Sequence, residues 1–253
     1  MAAPNRQHAV VTGGGRGIGR AIAAALSGAG AFVTVVGRQQ APLADAVSRG
    51  HAKSYLVVDV TDRRGLLDGL KRHADQHGPI DILVANAGGA ESSPFAKTDP
   101  DLFRRMFELN VMGVVNAAQA VLPGMIDRGS GRIVAIASTA GLKGYPYVSA
   151  YCTAKHAVVG LVRSLALETA KSAVTVNAVC PGYTDTDLFK DSIAQIAAKT
   201  GRSRDDIIAA MLQQNPLGRL VQPKEVAAAV LFLCSPAAAS ITGTTLAVAG
   251  GEV

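Results

Sequence analysis

The run Thr12-Gly13-Gly14-Gly15-Arg16-Gly17-Ile18-Gly19 constrains this chain most, because of what stands on either side of it. Before it, His8-Ala9-Val10-Val11-Thr12 is short and apolar, which predicts a buried strand. After it, the alanine-rich stretch from Arg20 to Ser27 predicts a helix, closed by Gly28 and Gly30 before a second strand from Phe32 to Val36. A glycine cluster by itself fits a plain tight turn. Between a strand and a helix it opens a βαβ unit, in which Gly13, Gly17 and Gly19 let the backbone approach a pyrophosphate whose charge meets the helix N-terminus.

The same rhythm continues along the chain. Ser54 to Val58 predicts a third strand ending at Asp59-Val60, which would lie along the adenine of a bound dinucleotide. Thr61 is the expected cap of a helix that runs toward His77 and stops at Gly78-Pro79. Asp81 to Ala85 is a fourth strand, followed by the small residues of Asn86-Ala87-Gly88-Gly89. Thr98-x-x-Asp101 reads as the capping signal of a long helix through Leu122, with Asn110 in its middle. Asparagine is poor in a helix interior, because its side chain competes for backbone hydrogen bonds. Further strands are expected at 132–137, Val174 to Val179 and Thr244 to Val248, with helices from Ser149 to Ala170 and from Pro223 to Cys234. The fold class is α/β: a Rossmann-like, doubly wound parallel sheet of about seven strands with helices on both faces. With 253 residues, 49% hydrophobic and no linker, repeat or low-complexity run, a single domain over residues 1–253 is expected. The polar 184–216 segment, with helical patches at Ile193–Lys199 and Asp205–Leu212, is long for a connection and predicts a lid over a site.

The chemistry concentrates between Ser138 and Lys155. Arg132-Ile133-Val134-Ala135-Ile136-Ala137 is a buried strand that delivers Ser138 to the carboxyl edge of the sheet, where such folds place their sites. Tyr151 and Lys155 are four apart and share one face of the next helix. A phenol is a poor base near neutrality, and an adjacent ammonium favours its ionised form. Tyr151 can then exchange a proton with an alcohol or carbonyl oxygen that Ser138 also holds. Tyr145, Tyr147, Tyr183 and Phe189 are expected to line an apolar substrate pocket.

Charge bears on the coenzyme. The second strand ends at Gly37-Arg38, no carboxylate follows until Asp45, and Arg16 stands in the glycine turn. Arginine suits a ribose 2′-phosphate where an acid would suit a bare 2′-hydroxyl, so NADP (as NADPH) is expected, with NAD as the alternative. The net charge of +6 is dispersed, without a five-residue basic block, which argues against nucleic acid. The longest apolar run, Val226 to Cys234, has nine residues where a membrane span needs about 20. MAAPNRQ has no secretory pattern, and Cys152, Cys180 and Cys234 suit buried thiols in a reducing compartment, so a cytoplasmic protein without membrane partners is expected. No histidine stands at metal-ligand spacing, and no metal is expected.

Taken together, Thr12 to Gly19, Asp59, Asn86-Ala87-Gly88, Asn110, Ser138, Tyr151-x-x-x-Lys155, Pro181-Gly182 and Thr186 resemble the short-chain dehydrogenase/reductase family from Val10 to Gly251. The thirteen positions from Ser138 to Tyr151 are also that family's usual interval. The likeness is greatest to its ketoacyl-thioester and polyketide ketoreductase branch, or to alicyclic hydroxyacyl-CoA relatives. The resemblance implies that Tyr151 is the acid/base, Lys155 holds the nicotinamide ribose and lowers the tyrosine pKa, Ser138 orients the substrate oxygen, and Asn110 holds a water in a proton relay to Lys155. It implies cofactor contacts at Gly13, Gly15, Arg16, Gly17, Ile18, Gly19, Arg38, Asp59, Val60, Asn86, Ala87, Gly88, Tyr151, Lys155, Pro181, Gly182, Thr184 and Thr186, with Thr186 meeting the carboxamide. Substrate contacts would fall on Ser138, Tyr145, Tyr151, Tyr183 and Phe189. The implied activity is hydride transfer between NADP(H) and a secondary alcohol or ketone, such as a 3-oxoacyl thioester or a cyclic or aryl ketone. The alternatives are an NAD-dependent alcohol or hydroxyacyl-CoA dehydrogenase, and a protein that senses NADP without turnover. A homotetramer is implied. Ala85 and Ala249 depart from the family pattern, which has asparagine often at the first and aspartate commonly at the second.

Overall fold

Seven apolar runs become seven strands: β1 (His8–Thr12), β2 (Phe32–Gly37), β3 (Ser54–Val57), β4 (Ile80–Ala85), β5 (Gly131–Ile136), β6 (Val174–Pro181) and β7 (Thr245–Val248). They form one parallel sheet in the order β3-β2-β1-β4-β5-β6-β7. The computed structural model describes residues 7–213 and 215–253, so the N-terminal residues 1–6 and residue 214 of the 184–216 segment lie outside it.

Both faces of the sheet are covered, which is why the strands read as continuous apolar runs. Nine helices lie among the described residues: α1 (Gly17–Gly28), α2 (Gln40–Ser48), α3 (Arg63–His77), α4 (Pro100–Phe107), α5 (Gly113–Asp127), α6 (Ser149–Thr169), α7 (Asp187–Thr200), α8 (Arg204–Leu212) and α9 (Pro223–Cys234). Alternate strand residues divide between two cores. Val10, Leu83, Ile133 and Val176 meet Leu66, Met106, Val114 and Val158 of α3 to α6. Val11, Ile82, Val84 and Val179 meet Ile22, Leu26, Leu43 and Val230 of α1, α2 and α9. The chain runs outward from β1 through β2 to β3 and then returns to β4 on the other side of β1. The connections after β1 and β4 leave toward opposite faces of the sheet, α1 on one and α4 on the other, and a crevice opens between them at the carboxyl edge.

Several boundaries differ from expectation, each for a local reason. Helix α1 takes in Gly17 and Gly19 rather than beginning at Arg20. Asp62, not Thr61, caps α3 by accepting from the Gly65 N–H at 3.0 Å; Thr61 instead donates its N–H and hydroxyl to Asp59 Oδ1, both at 2.9 Å. Asp99 caps α4, with Pro100 in the first turn, while the Thr98 hydroxyl turns back to Pro94 O. The long helix does not end at Leu122. It passes through a π turn at Glu108–Met112 and continues as α5 past Pro123 to Asp127. By length and composition the stretch Pro100–Asp127 is apolar enough to cross a membrane, yet half of its most apolar window is buried inside the molecule, as in a core helix. The 184–216 segment carries α7 and α8, capped by Thr186 and Ser203.

Candidate active site

The glycine turn is built by its neighbours. Gly13 has φ of +65°, and its N–H donates to Val36 O at 2.7 Å. A Cβ on Gly13 would lie 2.7 Å from Asn86 Nδ2, and one on Gly19 would lie 2.5 Å from the same atom, so only glycine fits at either place. The N–H groups of Asn86 and Ala87 both donate to Thr12 Oγ1 at 3.0 Å. Asn86 Nδ2 donates to Thr12 O at 2.9 Å and Gly13 O at 3.3 Å. The asparagine expected to meet a cofactor thus spends its amide donors on holding the turn. Arg16 precedes α1 without a side-chain capping bond, and the first turn holds no acid. The first N–H groups of α1 are left without a side-chain acceptor, which is the donor set an anionic pyrophosphate needs.

The other cofactor residues gather along the same edge. A Cβ on Gly17 would stand 3.4 Å from Thr186 Cγ2, so the segment after β6 arches over the turn. Thr186 Oγ1 caps α7 by accepting from the Phe189 N–H at 3.2 Å. Thr184 is buried and donates its hydroxyl to Gly182 O at 2.9 Å, so that hydroxyl serves the loop. Pro181 is the buried last residue of β6. Gly15 lies against Pro42, and Ile18 packs on the α1 core. Beyond β2, the exposed Arg38 reaches toward Asp59, with Nη1 3.8 Å from Oδ2. Val60 is buried, and its carbonyl accepts from Asn116 Nδ2 at 2.9 Å. Asn116 is a fully buried polar residue of α5 that sequence reasoning passed over.

Ser138, Tyr151, Lys155 and Asn110 converge beyond β5. Ser138 Oγ accepts from the Ala140 N–H at 3.1 Å and starts a short 3₁₀ turn, Thr139–Gly141. Its side chain faces the Tyr151 phenol and lowers its pKa. Lys155 is buried, donates to Ile136 O at 2.8 Å, and holds Nζ 5.7 Å from the centroid of the Tyr151 ring. Burial pushes the Tyr151 phenol up to about 12, with Ser138 pulling the other way. Burial also brings the Lys155 ammonium down to about 8. For both groups desolvation is the largest cause of the shift. Asn110 sits in the π turn, fully buried. Its Oδ1 accepts from the Gly89 N–H at 3.2 Å and its Nδ2 donates to Gly89 O and Met106 O, both at 3.0 Å. A Cβ on Gly88 would lie 2.7 Å from Asn110 Oδ1 and 3.5 Å from Lys155 Nζ, which puts Gly88 between them.

Beside this group stands an aromatic wall. The Tyr145 and Tyr183 rings are 6.1 Å apart, and those of Tyr183 and Phe189 are 5.9 Å apart. Tyr147 does not join the wall: it is 65% exposed, with φ of +67°. The Tyr145 hydroxyl is bonded to Thr139 and to Glu252, two residues sequence reasoning did not single out. All three cysteines are free and buried. Among the described residues no group of three or more His, Cys, Asp or Glu is arranged to hold a metal ion.

The strand order and the glycine turn at its fork place the protein among the dinucleotide-binding α/β enzymes. The family model described as short chain dehydrogenase matches residues 7–197, and the chain belongs to that oxidoreductase family. It is 38% identical to acetoacetyl-CoA reductase of Rhizobium meliloti (strain 1021), over 96% of this chain and 97% of that protein. It is 41% identical to cis-4-hydroxycyclohexanecarboxylate dehydrogenase of Sinomonas cyclohexanicum, over 96% of this chain and 95% of that one. The fold matches an actinorhodin polyketide ketoreductase solved with NADPH, with a TM-score of 0.94 and 34% identity over 100% of this chain and 99% of the other.

The lowered ammonium of Lys155 links the site to stability. A buried lysine that gives up its proton near pH 8, against 10.5 for a lysine in the unfolded chain, destabilises the fold fully below about pH 8. The unfolded chain binds the extra proton between those values, so stability rises with pH across that window. Lys155→Met removes the effect. Denaturant titrations should show wild type gaining about 3 kcal/mol on the variant across the window, at about 1.36 kcal/mol per unit; parallel curves would refute the buried ammonium.

Proposed function

We propose that the protein reduces a 3-oxoacyl thioester, or a cyclic or aryl ketone, to the secondary alcohol with NADPH. The observation that carries this reading is the juxtaposition of Ser138, Tyr151 and Lys155 beyond the carboxyl end of β5. The nicotinamide, when bound, supplies the hydride. The chain supplies orientation and a proton. A phenol held up at about 12 is protonated near neutrality and suits the donor role that ketone reduction requires. Ser138 Oγ already accepts from Ala140, which directs its own proton outward to the same substrate oxygen. Lys155, near 8, can give or take a proton close to working pH and so recharge Tyr151, and Asn110 across Gly88 would hold the water through which it does so. The first turn of α1 would receive the pyrophosphate, Asp59 and Val60 the adenine, and Thr186 the carboxamide. The aromatic wall of Tyr145, Tyr183 and Phe189 suits an apolar substrate body, with residues 184–216 as the lid of the one domain. The thioester reading is supported by the acetoacetyl-CoA reductase relative. The cyclic-alcohol dehydrogenase relative favours a second reading, oxidation of a ring alcohol with NAD. A cytoplasmic setting accords with these soluble substrates.

Assembly is the next part of the reading. Grooves on the outer faces of α4, α5 and α6 are lined by Phe103, Phe107, Val115, Leu122, Leu161 and Leu165. Apolar surface of this kind on two long helices suits a second copy of the chain, and a homotetramer is expected. Light scattering at micromolar concentration should give an oligomer; a monomer mass would refute it.

Tyr151→Phe removes only the proton-bearing hydroxyl. It should bind NADPH like wild type and lose turnover against a panel of β-ketoacyl thioesters, cyclic ketones and aryl ketones by about 10²–10⁴-fold. More than about a hundredth of wild-type kcat would contradict the assigned role.

Coenzyme choice rests on Arg16 and Arg38, both exposed at the fork, and on Gly37, which offers no carboxylate. Arginine supplies the charge-assisted donors a 2′-phosphate takes. NADPH should be preferred over NADH in kcat/KM. Gly37→Asp with Arg38→Leu should cost about ten- to a hundredfold in NADPH affinity, one charge-assisted contact. A wild-type preference for NADH would overturn the assignment and favour the oxidative reading.

A further inference from the structure

Glu252, the residue before the C-terminus, stands out beside the catalytic group. Its side chain is 0% exposed, although carboxylates are rarely so deeply buried unless paired. Oε1 accepts from the Tyr145 hydroxyl and lies 3.2 Å from Lys143 Nζ. Among the described residues Oε2 has no hydrogen-bond partner, and a Cβ on Gly182 would stand 2.9 Å from it. Lys143 also donates to the Glu252 carbonyl at 3.3 Å, with its ammonium 5.0 Å from the centroid of the Tyr145 ring.

The direction of these bonds follows from their chemistry. A carboxylate only accepts, and the phenol has one proton, so Tyr145 gives that proton to Glu252. The Thr139 hydroxyl, 2.6 Å from the phenol, is then the donor to Tyr145. Burial and the neighbouring carboxylate both keep the Tyr145 phenol protonated. Thr139 and Tyr145 thereby close the 139–145 loop on itself, and Glu252 ties that loop to the segment after β7. Ser138 stands at the loop's first turn.

We propose that Glu252 is a positioning residue, which acts through Tyr145 and Thr139 to fix the loop carrying Ser138 and hence the place of Ser138 against the Tyr151 phenol. It touches no reacting atom. The inference rests on the roles given above to Ser138 and Tyr151.

The test compares Glu252→Ala, Glu252→Gln, Tyr145→Phe and the double variant Glu252→Ala with Tyr145→Phe against wild type. Thermal unfolding checks that each is folded, and kcat and KM are measured in both directions across pH. In Glu252→Ala, kcat should fall about ten- to a hundredfold, as for a small misplacement of a reacting group, with KM for NADPH unchanged. Tyr145→Phe should lose a like amount, and the double variant no more than either, since both cut one chain of bonds. Glu252→Gln keeps an acceptor for the phenol and should recover most of the loss. Tyr151 is faced by Cys152, Cys180 and Lys155 as well as Ser138; Ser138 lowers its pKa and the two cysteines raise it. The apparent pKa of alcohol oxidation should therefore rise in Glu252→Ala, a shift that mere loss of packing would not cause. Additive losses, an unmoved pH profile or an unchanged kcat would each overturn the proposal. If Glu252→Ala does not fold, Tyr145→Phe alone carries the test, and an unchanged kcat and pH profile in that variant would overturn the proposal. A wild type inert toward every ketone would overturn the proposed function and this inference together; an active wild type matched by its variants would overturn the inference alone.

Discussion

Thr12 Oγ1 accepts the backbone N–H groups of both Asn86 and Ala87, and the rest of the site depends on that joint. At the fork of a doubly wound sheet the connections after the two central strands leave toward opposite faces. One hydroxyl ties them. Asn86 completes the fastening from the other side through the carbonyls of Thr12 and Gly13. The glycine turn then has no freedom to widen, and the start of α1 is aimed along one line. Thr186, brought over Gly17, bounds the same crevice from the opposite end of the sheet.

The second constraint is electrostatic. Burying an amine beside a partly buried phenol costs both their charged forms, so each moves toward neutrality: Tyr151 up, Lys155 down. An apolar surround thus does what a simple pairing of charges would not. It leaves a protonated phenol beside an amine that titrates close to physiological pH. The Ile136 carbonyl, at 2.8 Å, holds the amine in place whichever form it takes.

The sheet was legible in the sequence because its central strands β1, β2, β4 and β5 are buried on both faces and read as near-continuous apolar runs, while the edge strands β3 and β7 are only half-buried. The order of β1 and β2 around a glycine turn left little choice of topology. Helix starts were less legible: Asp62 and Asp99 each stand next to a threonine with equal claim, and only the loop conformation decides between them. The tyrosine, lysine and serine could be found from spacing alone. Glu252 could not, since it lies over a hundred positions from Tyr145 and nothing local marks it. Asn86 was singled out as a cofactor contact, and its amide also fastens the glycine turn, which no local pattern announces.

The π turn at Glu108–Met112 carries a consequence for how this helix can vary. Such a turn inserts about one residue into an α-helix, and one residue is worth about 100° of rotation. Deleting it would mend the helix and swing all of α5 out of phase with α4. Val114, Ala117, Ala118 and Val121, which now face the sheet, would be carried away from it. Asn110 and the seating of α5 are therefore one heritable unit: the asparagine's position cannot drift by a residue without the whole helix losing its footing.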